Sequence, residues 1–152
     1  MQDGTDFTEF VTFMIAGQMF GLPIARVQDV FKPERITRVP LAGAEIAGVL
    51  NLRGRIVTAI DMRYRLDAEG HDAADAPMAI GIEAKGESFG LLIDTVGEVL
   101  KLPEADREPA PINLDRKLAA LAAGVYRLDG RLLVALDVDR VLDLHAEAAA
   151  AA

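Results

Sequence analysis

The chain has 152 residues, a formal net charge of −8 and no cysteine. This length suffices for one domain with a real core, or for two small units that share one. The lack of cysteine excludes disulfides and thiolate sites, and it fits a reducing cytoplasm. The acidic charge makes nucleic acid and anionic membranes poor candidate partners. No apolar run is long enough to cross a bilayer, and the acidic first residues do not resemble a signal peptide.

Short β-strands are predicted through the first part of the chain. Residues 7–15 form a nearly unbroken apolar and β-branched run, typical of a strand buried on both faces. Residues 20–24 alternate as in a half-buried strand, but Pro23 indicates that this strand is an edge strand or ends there. Residues 27–31 resume the apolar pattern, and a proline-containing loop follows at residues 32–44.

The stretch 48–63 predicts a hairpin followed by a short capped helix. Two apolar runs flank Arg53-Gly54-Arg55, where the glycine supplies the positive φ that a tight reversal needs. Asp61 then precedes Met-Arg-Tyr-Arg-Leu, where its carboxylate can cap the first amides of a helix. The polar residues that follow predict a solvated linker.

The second half repeats this order. Apolar alternation predicts strands around residues 78–82, 89–93 and 96–102, and a loop with three prolines follows. Leu114, Leu118 and Leu121 have helical spacing, which predicts a short helix. Asp129-Gly130 is then a strong signal for a tight turn between two further strands.

Two matches within the chain indicate an internal duplication. Residues 47–61 match 123–137 at an offset of 76, with alanine, glycine, valine, leucine, arginine and aspartate recurring in register. Residues 20–32 match 89–101 at an offset of 69. Two matches in the same order favour a duplicated unit, although generic β-hairpin sequences could also converge.

These patterns predict an all-β chain with short helices. About ten strands in two equivalent sets of five indicate two small barrel-like units that pack face to face over a shared aliphatic core. The expected division is subdomain 1 at residues 7–67, a linker at 68–77, subdomain 2 at 78–142 and a frayed tail at 143–152.

The sequence offers little for catalysis. The histidines, His71 and His145, are predicted to lie in the linker and near the tail, where no rigid scaffold would hold them. Asp61 and Asp137 occupy equivalent positions and could form a paired-carboxylate site, but a helix cap used twice is the favoured interpretation. Neither a phosphate loop nor a metal-ligand spacing is found in the sequence. We therefore expect a chain that is not an enzyme and acts through its surfaces.

The hairpin stretch resembles the CheW-like family, the adaptor proteins of bacterial chemotaxis. The family's hallmark is Gly-Val-x-Asn-Leu-Arg-Gly, followed by an apolar strand that ends in Ile-Asp-Leu-Arg. This chain carries the first motif at residues 48–54 and the second as Ile60-Asp61-Met62-Arg63. Thr58 stands where the family often has proline. The similarity extends over about residues 7–142.

The resemblance implies two five-stranded, SH3-like β-barrels and a non-enzymatic role without a cofactor or metal. The adaptor would couple transmembrane chemoreceptors (methyl-accepting chemotaxis proteins) to the histidine kinase CheA, through the kinase's own CheW-like regulatory domain. It would be cytoplasmic, at the inner face of the membrane, within receptor arrays. The receptor tip would lie in the groove between the barrels, and the kinase domain would meet the barrel ends.

The resemblance also implies two sets of binding residues. The expected receptor-binding residues are Val27, Arg53, Met78 and Gly90. The expected kinase-binding residues are Asp29, Ile36 and Gly48. Asp29 stands where glutamate is frequent, and a backbone requirement is the favoured explanation for both glycines. Arg53 could instead be a solvated turn residue.

Two other functions remain open at this point. The chain could be a CheW-like scaffold of a different chemosensory pathway, such as pilus motility or second-messenger control. An unrelated β-barrel that binds a small ligand in its interior is the more remote alternative.

Overall fold

The computed structural model describes residues 6–40, 42–66 and 77–143. The strands within these ranges are β1 (Phe7–Ile15), β2 (Gln18–Pro23), β3 (Val27–Phe31), β4 (Ile46–Leu52), β5 (Arg55–Asp61), β6 (Met78–Ala84), β7 (Glu87–Ile93), β8 (Thr95–Pro103), β9 (Ala122–Leu128) and β10 (Arg131–Leu136). The α-helices of the same ranges are α1 (Met62–Arg65), α2 (Arg116–Leu121) and α3 (Val138–Leu142). No helix within these ranges is long and apolar enough to cross a membrane.

The strands form two five-stranded sheets. Sheet I has the order β8-β1-β2-β10-β9, and sheet II has the order β3-β6-β7-β5-β4. Neighbouring strands are antiparallel except at one seam in each sheet, where β2 pairs with β10 and β5 pairs with β7 in parallel. The predicted all-β class with short helices is confirmed.

The duplication explains why the two sheets have corresponding strand orders. The strands correspond in the order in which they lie across the sheets: β8 to β3, β1 to β6, β2 to β7, β10 to β5 and β9 to β4. The turn between β1 and β2 and the turn between β6 and β7 also have matching geometry. Ala16 and Gly17 have φ values of 50° and 83°, and Lys85 and Gly86 have φ values of 52° and 79°. Two positive φ values in succession match the right-handed twist of the strands that they join.

The sheets do not coincide with the sequence halves. The last three strands of the first half, β3 to β5, join β6 and β7, whereas β8 to β10 join β1 and β2. The expected boundaries at 7–67 and 78–142 therefore do not delimit the sheets. The reason is that strand pairing depends on contacts between distant segments, which local patterns do not specify. The expected linker and tail lie outside the described residues, except for residues 77 and 143.

One apolar core, mostly aliphatic, is shared by both sheets. It combines Phe13 and Phe20 from sheet I with Ile80 and Leu91 from sheet II, and each of these side chains is at most 2% exposed. Full burial of such a side chain contributes about 1.5–3 kcal/mol relative to an exposed position. Neither sheet could retain this contribution without the other.

Short helices follow the last strand of each duplicated unit, as predicted. The Asp61 carboxylate accepts a hydrogen bond from the Tyr64 amide at 3.2 Å, and Asp137 accepts one from the Arg140 amide at 3.1 Å. Both aspartates therefore cap a helix, which confirms the structural interpretation of this pair. β2 does end at Pro23, but it is a central strand of sheet I and not an edge strand.

A partly buried ion pair joins α1 to the end of β7. Arg63 Nε donates to Asp94 Oδ1 at 2.9 Å, and Arg63 Nη2 donates to Asp94 Oδ2 at 2.6 Å. The same Oδ2 accepts a hydrogen bond from the Ala16 amide, at 2.9 Å, in the first turn of sheet I. The hydrogen bonds from Arg63 lower the pKa of Asp94 below its ordinary value of 3.8, against the opposing effect of burial. The carboxylate thus links the two sheets in its charged form.

Asp94→Asn is expected to lower the free energy of unfolding by about 1–3 kcal/mol, because it removes the negative charge that pairs with Arg63. The folded-state pKa of Asp94 is depressed, so its contribution is fully present above the unfolded pKa. The difference in unfolding free energy between wild type and variant should then shrink as the pH falls below 3.8 and through the folded-state pKa of Asp94. Urea unfolding across this pH range measures it.

Asp139→Asn is the matched control, since Asp139 pairs with Arg26 at 3.3 Å while its side chain is 78% exposed. Its cost should stay within about 0.5 kcal/mol at every pH. Equal costs for the two variants, or a constant cost for Asp94→Asn, would contradict this role of Asp94.

Candidate functional site

All seven predicted binding residues lie on sheet II or in the loop that leads to it. Their positions are β3 for Val27 and Asp29, the β3–β4 loop for Ile36, β4 for Gly48, the β4–β5 turn for Arg53, β6 for Met78 and β7 for Gly90. Sheet II therefore carries both the expected receptor side and the expected kinase side. Their surroundings differ from residue to residue.

Arg53 occupies the tip of the hairpin that carries the sequence motif. Its φ of 52° precedes Gly54 at 83°, and the Asn51 side chain accepts a hydrogen bond from the Gly54 amide at 2.9 Å. Its side chain is 79% exposed, and Arg53 Nη1 lies 3.8 Å from Asp29 Oδ2. Because β3 and β4 are opposite edge strands of sheet II, the pair shows that the two edges of the sheet lie close together here.

Asp29 has an unusual environment for a surface carboxylate. Its side chain is 22% exposed, and Oδ1 is buried without a hydrogen-bond partner among the described residues. Asp29 lies opposite Gly81 in the β3–β6 pair, and a Cβ at position 81 would collide with Oδ1. Gly81 therefore makes room for this carboxylate. In sheet I, Thr12 is the equivalent of Gly81 and Glu98 is the equivalent of Asp29. The Thr12 hydroxyl donates to Glu98 O at 2.6 Å.

Gly81 is a residue that the sequence analysis missed. A glycine inside the apolar strand Met-Ala-Ile-Gly-Ile was the available signal, because an interior glycine often marks a bulge or a close approach. The pairing of β3 with β6 does contain a bulge, between Val27 and Asp29.

Gly48 and Ile36 are in direct contact. Thr37 pairs with Val49 through backbone hydrogen bonds of 2.7 and 2.8 Å, which lays the loop against β4. Gly48 has a φ of 151°, and a Cβ there would lie 2.8 Å from Ile36 Cγ2 and collide with Thr37 O. The backbone therefore requires a glycine at position 48. The close approach that this glycine allows also positions the half-buried side chain of Ile36.

The remaining predicted residues are partly or fully buried. Val27 and Met78 both pack partly against the shared core. Gly90 is buried, and a Cβ there would lie 3.3 Å from Val57 Cγ1. An influence of Gly90 on binding would therefore act through the packing of β5 against β7. Arg53 is the more exposed side chain of the Arg53–Asp29 pair, at 79% against 22%.

Sheet I repeats this geometry with different side chains. Gly124 is equivalent to Gly48, and a Cβ there would lie 2.6 Å from Arg107 Cγ and 3.0 Å from Glu108 O. Charged residues therefore replace Ile36 and Thr37, and Glu108 also pairs with Arg127 at 3.2 Å. The offset of 76 residues was the signal for this second surface, which the sequence analysis did not list among its sites.

A family model described as the CheW-like domain matches residues 9–146. The chain belongs to the CheW-like family. This confirms the resemblance that the motif at residues 48–54 indicated.

Individual CheW-like proteins match over most of the chain. The chemotaxis protein CheW of Bacillus subtilis is 28% identical over 135 residues, which cover 89% of this chain and 86% of that protein. The crystal structure of the scaffolding protein TtCheW from Thermoanaerobacter tengcongensis is similar with a TM-score of 0.82. It is 27% identical, and the alignment covers 95% of this chain and 93% of that one.

A chemotaxis protein of another kind also matches. CheA of Salmonella typhimurium is 26% identical over 138 residues, which cover 88% of this CheW-like chain but 19% of CheA. A segment of that CheA is therefore similar to nearly all of this chain.

Gly48→Ala is expected to lower the free energy of unfolding by about 2–4 kcal/mol, because it combines backbone strain with a collision against the Thr37 carbonyl. Gly54→Ala is the control: its φ of 83° is also positive, but no atom lies within 4 Å of the added methyl group. It should cost about 1 kcal/mol. Chemical unfolding measures the free energy of unfolding of both variants. Equal losses of stability would mean that the close approach of the β3–β4 loop does not add to the cost of Gly48→Ala.

Proposed function

We propose that the chain is a non-enzymatic adaptor that couples chemoreceptors to the histidine kinase CheA in bacterial chemotaxis. The observation that carries the proposal is the CheW-like match over residues 9–146, together with relatives named CheW that align over most of both chains. The likeness to a scaffolding protein of the same family supports it. In this role the chain would act at the cytoplasmic face of the membrane, within receptor arrays.

The kinase partner is proposed to be the CheW-like segment of CheA. That segment and this chain are similar along nearly the whole CheW-like fold, so each can present corresponding barrel ends. A contact between two different ends of similar units is heterologous, and repeated contacts of this kind build rings or extended assemblies. On this chain the contact would centre on Asp29 and Ile36, at one edge of sheet II.

Asp29 suits a partner that carries a hydrogen-bond donor. One oxygen is buried without a partner among the described residues, and the other has only the distant, exposed guanidinium of Arg53. A partner that supplies a cationic or N–H group would bind Oδ2, because the exposed part of the side chain does not include the buried Oδ1.

The receptor partner is proposed to be the helical hairpin tip of a chemoreceptor. Val27 and Met78 offer half-buried apolar surface beside the shared core, and Arg53 adds an exposed cation. An apolar stripe with a charged rim is the usual requirement for holding a helix in a groove. Gly90 would contribute only by keeping β5 and β7 closely packed.

Arg53→Glu is expected to weaken binding to a soluble receptor cytoplasmic fragment at least tenfold, because it reverses the charge at the rim of the groove. Stability should change by less than about 0.5 kcal/mol, since the ion pair with Asp29 is long and mostly exposed. Isothermal titration with the receptor fragment and a thermal melt measure the two effects. Arg131→Glu, an exposed charge reversal on sheet I, should leave receptor binding unchanged.

A large loss of stability in Arg53→Glu would mean that Arg53 is structural. If the wild-type chain bound neither the receptor fragment nor the CheA regulatory domain, the adaptor role in this pathway would be wrong. The family would then favour a scaffold of another chemosensory pathway, such as pilus motility.

Asp29→Asn is expected to weaken binding to the isolated CheA regulatory domain about tenfold while receptor binding persists, because a charge-assisted hydrogen bond becomes a neutral one. The substitution keeps the side-chain size, so the space above Gly81 stays filled. Titrations of the variant against each partner separate the two surfaces. Equal losses for both partners would show that Asp29 does not distinguish the kinase side.

A further inference from the structure

Gly81 lies in the middle of β6, at a position where the backbone does not require a glycine. It is not among the glycines of the described chain that have a positive φ. A glycine inside a strand weakens that strand, because it has no side chain to pack and loses more conformational freedom on folding than other residues. An alanine would therefore be favoured here, unless the space of its methyl group is needed for something else.

That space is occupied by the Asp29 carboxylate. A Cβ at position 81 would collide with Asp29 Oδ1 and lie 3.3 Å from Asp29 Cγ. The next nearest atom is Asp29 O, at 3.5 Å, which is an ordinary van der Waals distance. The missing methyl group thus makes room for one side chain, and that side chain belongs to the proposed kinase contact.

The position above Gly81 leaves the carboxylate poorly solvated. Asp29 Oδ1 is buried without a hydrogen-bond partner among the described residues, and the whole side chain is 22% exposed. A binding partner can therefore reach the charge only through Oδ2. A carboxylate that is already partly desolvated and held in place favours a charge-assisted hydrogen bond, because binding has to remove less water and to immobilise no side chain.

The equivalent place in sheet I is built differently. Thr12, the equivalent of Gly81, fills the space with its own side chain, and its hydroxyl donates to Glu98 O at 2.6 Å. Glu98, the equivalent of Asp29, is exposed. A carboxylate folded over the neighbouring strand is thus particular to sheet II, and the duplicated fold itself does not require it.

We propose, on the basis of the proposed adaptor function, that Gly81 is a positioning residue for the kinase contact. It holds the Asp29 carboxylate over β6, in the arrangement that the CheA regulatory domain binds. Gly81 is itself buried, so it acts through Asp29 and not by touching the partner. A side chain at position 81 would release the carboxylate into solvent, where it is hydrated and free to rotate.

Gly81→Ala tests this role. The collision involves the end of a flexible side chain, so Asp29 can rotate outward while β6 keeps its backbone. Isothermal titration with the isolated CheA regulatory domain should give a Kd raised about threefold to tenfold, because binding must again desolvate and order the side chain. The melting temperature should not fall, since alanine is favoured over glycine in a strand. Crystal structures of the free wild type and the free variant show whether the carboxylate has moved.

A double-substitution cycle separates positioning from a general effect on sheet II. In the Asp29→Ala background no carboxylate is left to position, so adding Gly81→Ala should change the Kd by less than about twofold. Gly97→Ala is the matched control, because its methyl group would lie 2.5 Å from Thr12 Oγ1 at the corresponding bulge of sheet I. It disturbs an equivalent bulge, but it should leave the affinity for the kinase domain unchanged.

The positioning role is wrong if the wild type binds the kinase domain and Gly81→Ala binds it equally well or more tightly. It is also wrong if Gly81→Ala weakens binding as much in the Asp29→Ala background, or if Gly97→Ala has the same effect. A carboxylate that stays above position 81 in the structure of the variant would contradict it directly. Failure of the adaptor proposal has a different signature, since the wild type itself would then not bind the kinase domain, and the positioning role would be wrong with it.

Discussion

The parallel seam within each sheet is the constraint on which the rest of the fold depends. β2 meets β10 and β5 meets β7 there, and each seam joins strands from different halves of the chain. Gly21 and Gly90 are equivalent residues at these seams, and an added Cβ would lie 3.2 Å from Leu133 Cδ2 in one case and 3.3 Å from Val57 Cγ1 in the other. Neither half could form its own sheet in this arrangement, so the two halves must fold together around the shared core.

A symmetric framework with asymmetric charges gives the molecule two different surfaces. Arg63 pairs with Asp94 across the sheets. Asp139, the equivalent of Arg63, carries the opposite charge and pairs with Arg26, which follows the equivalent of Asp94, Ala25. The hairpin tips also differ, since the position of Arg53 is taken by Asp129. The duplicated backbone therefore presents the same framework twice, with different charges on each copy.

Local features of the fold were predictable because they depend on a few adjacent residues. The hairpin turns, the Asp61 and Asp137 caps and the helix before β9 follow from glycine, aspartate and leucine spacing. The exchange of strands between the halves was not predictable, since the same apolar strands could pair in either arrangement. The seven site residues came from family resemblance, but the space that Gly81 leaves for Asp29 depends on a contact between strands distant in sequence.

The Arg63–Asp94 and Arg53–Asp29 ion pairs differ in how much they contribute to stability. The Arg63–Asp94 pair has side chains 22% and 17% exposed and is closely hydrogen-bonded, so breaking it leaves a desolvated charge. The Arg53–Asp29 pair is 3.8 Å long with the arginine 79% exposed, and such a pair contributes little to folding. An adaptor must exchange its surface contacts for those of a partner without unfolding. The Arg53–Asp29 pair at the rim of sheet II meets that requirement because its loss costs the fold little, while the Arg63–Asp94 pair holds the two sheets together.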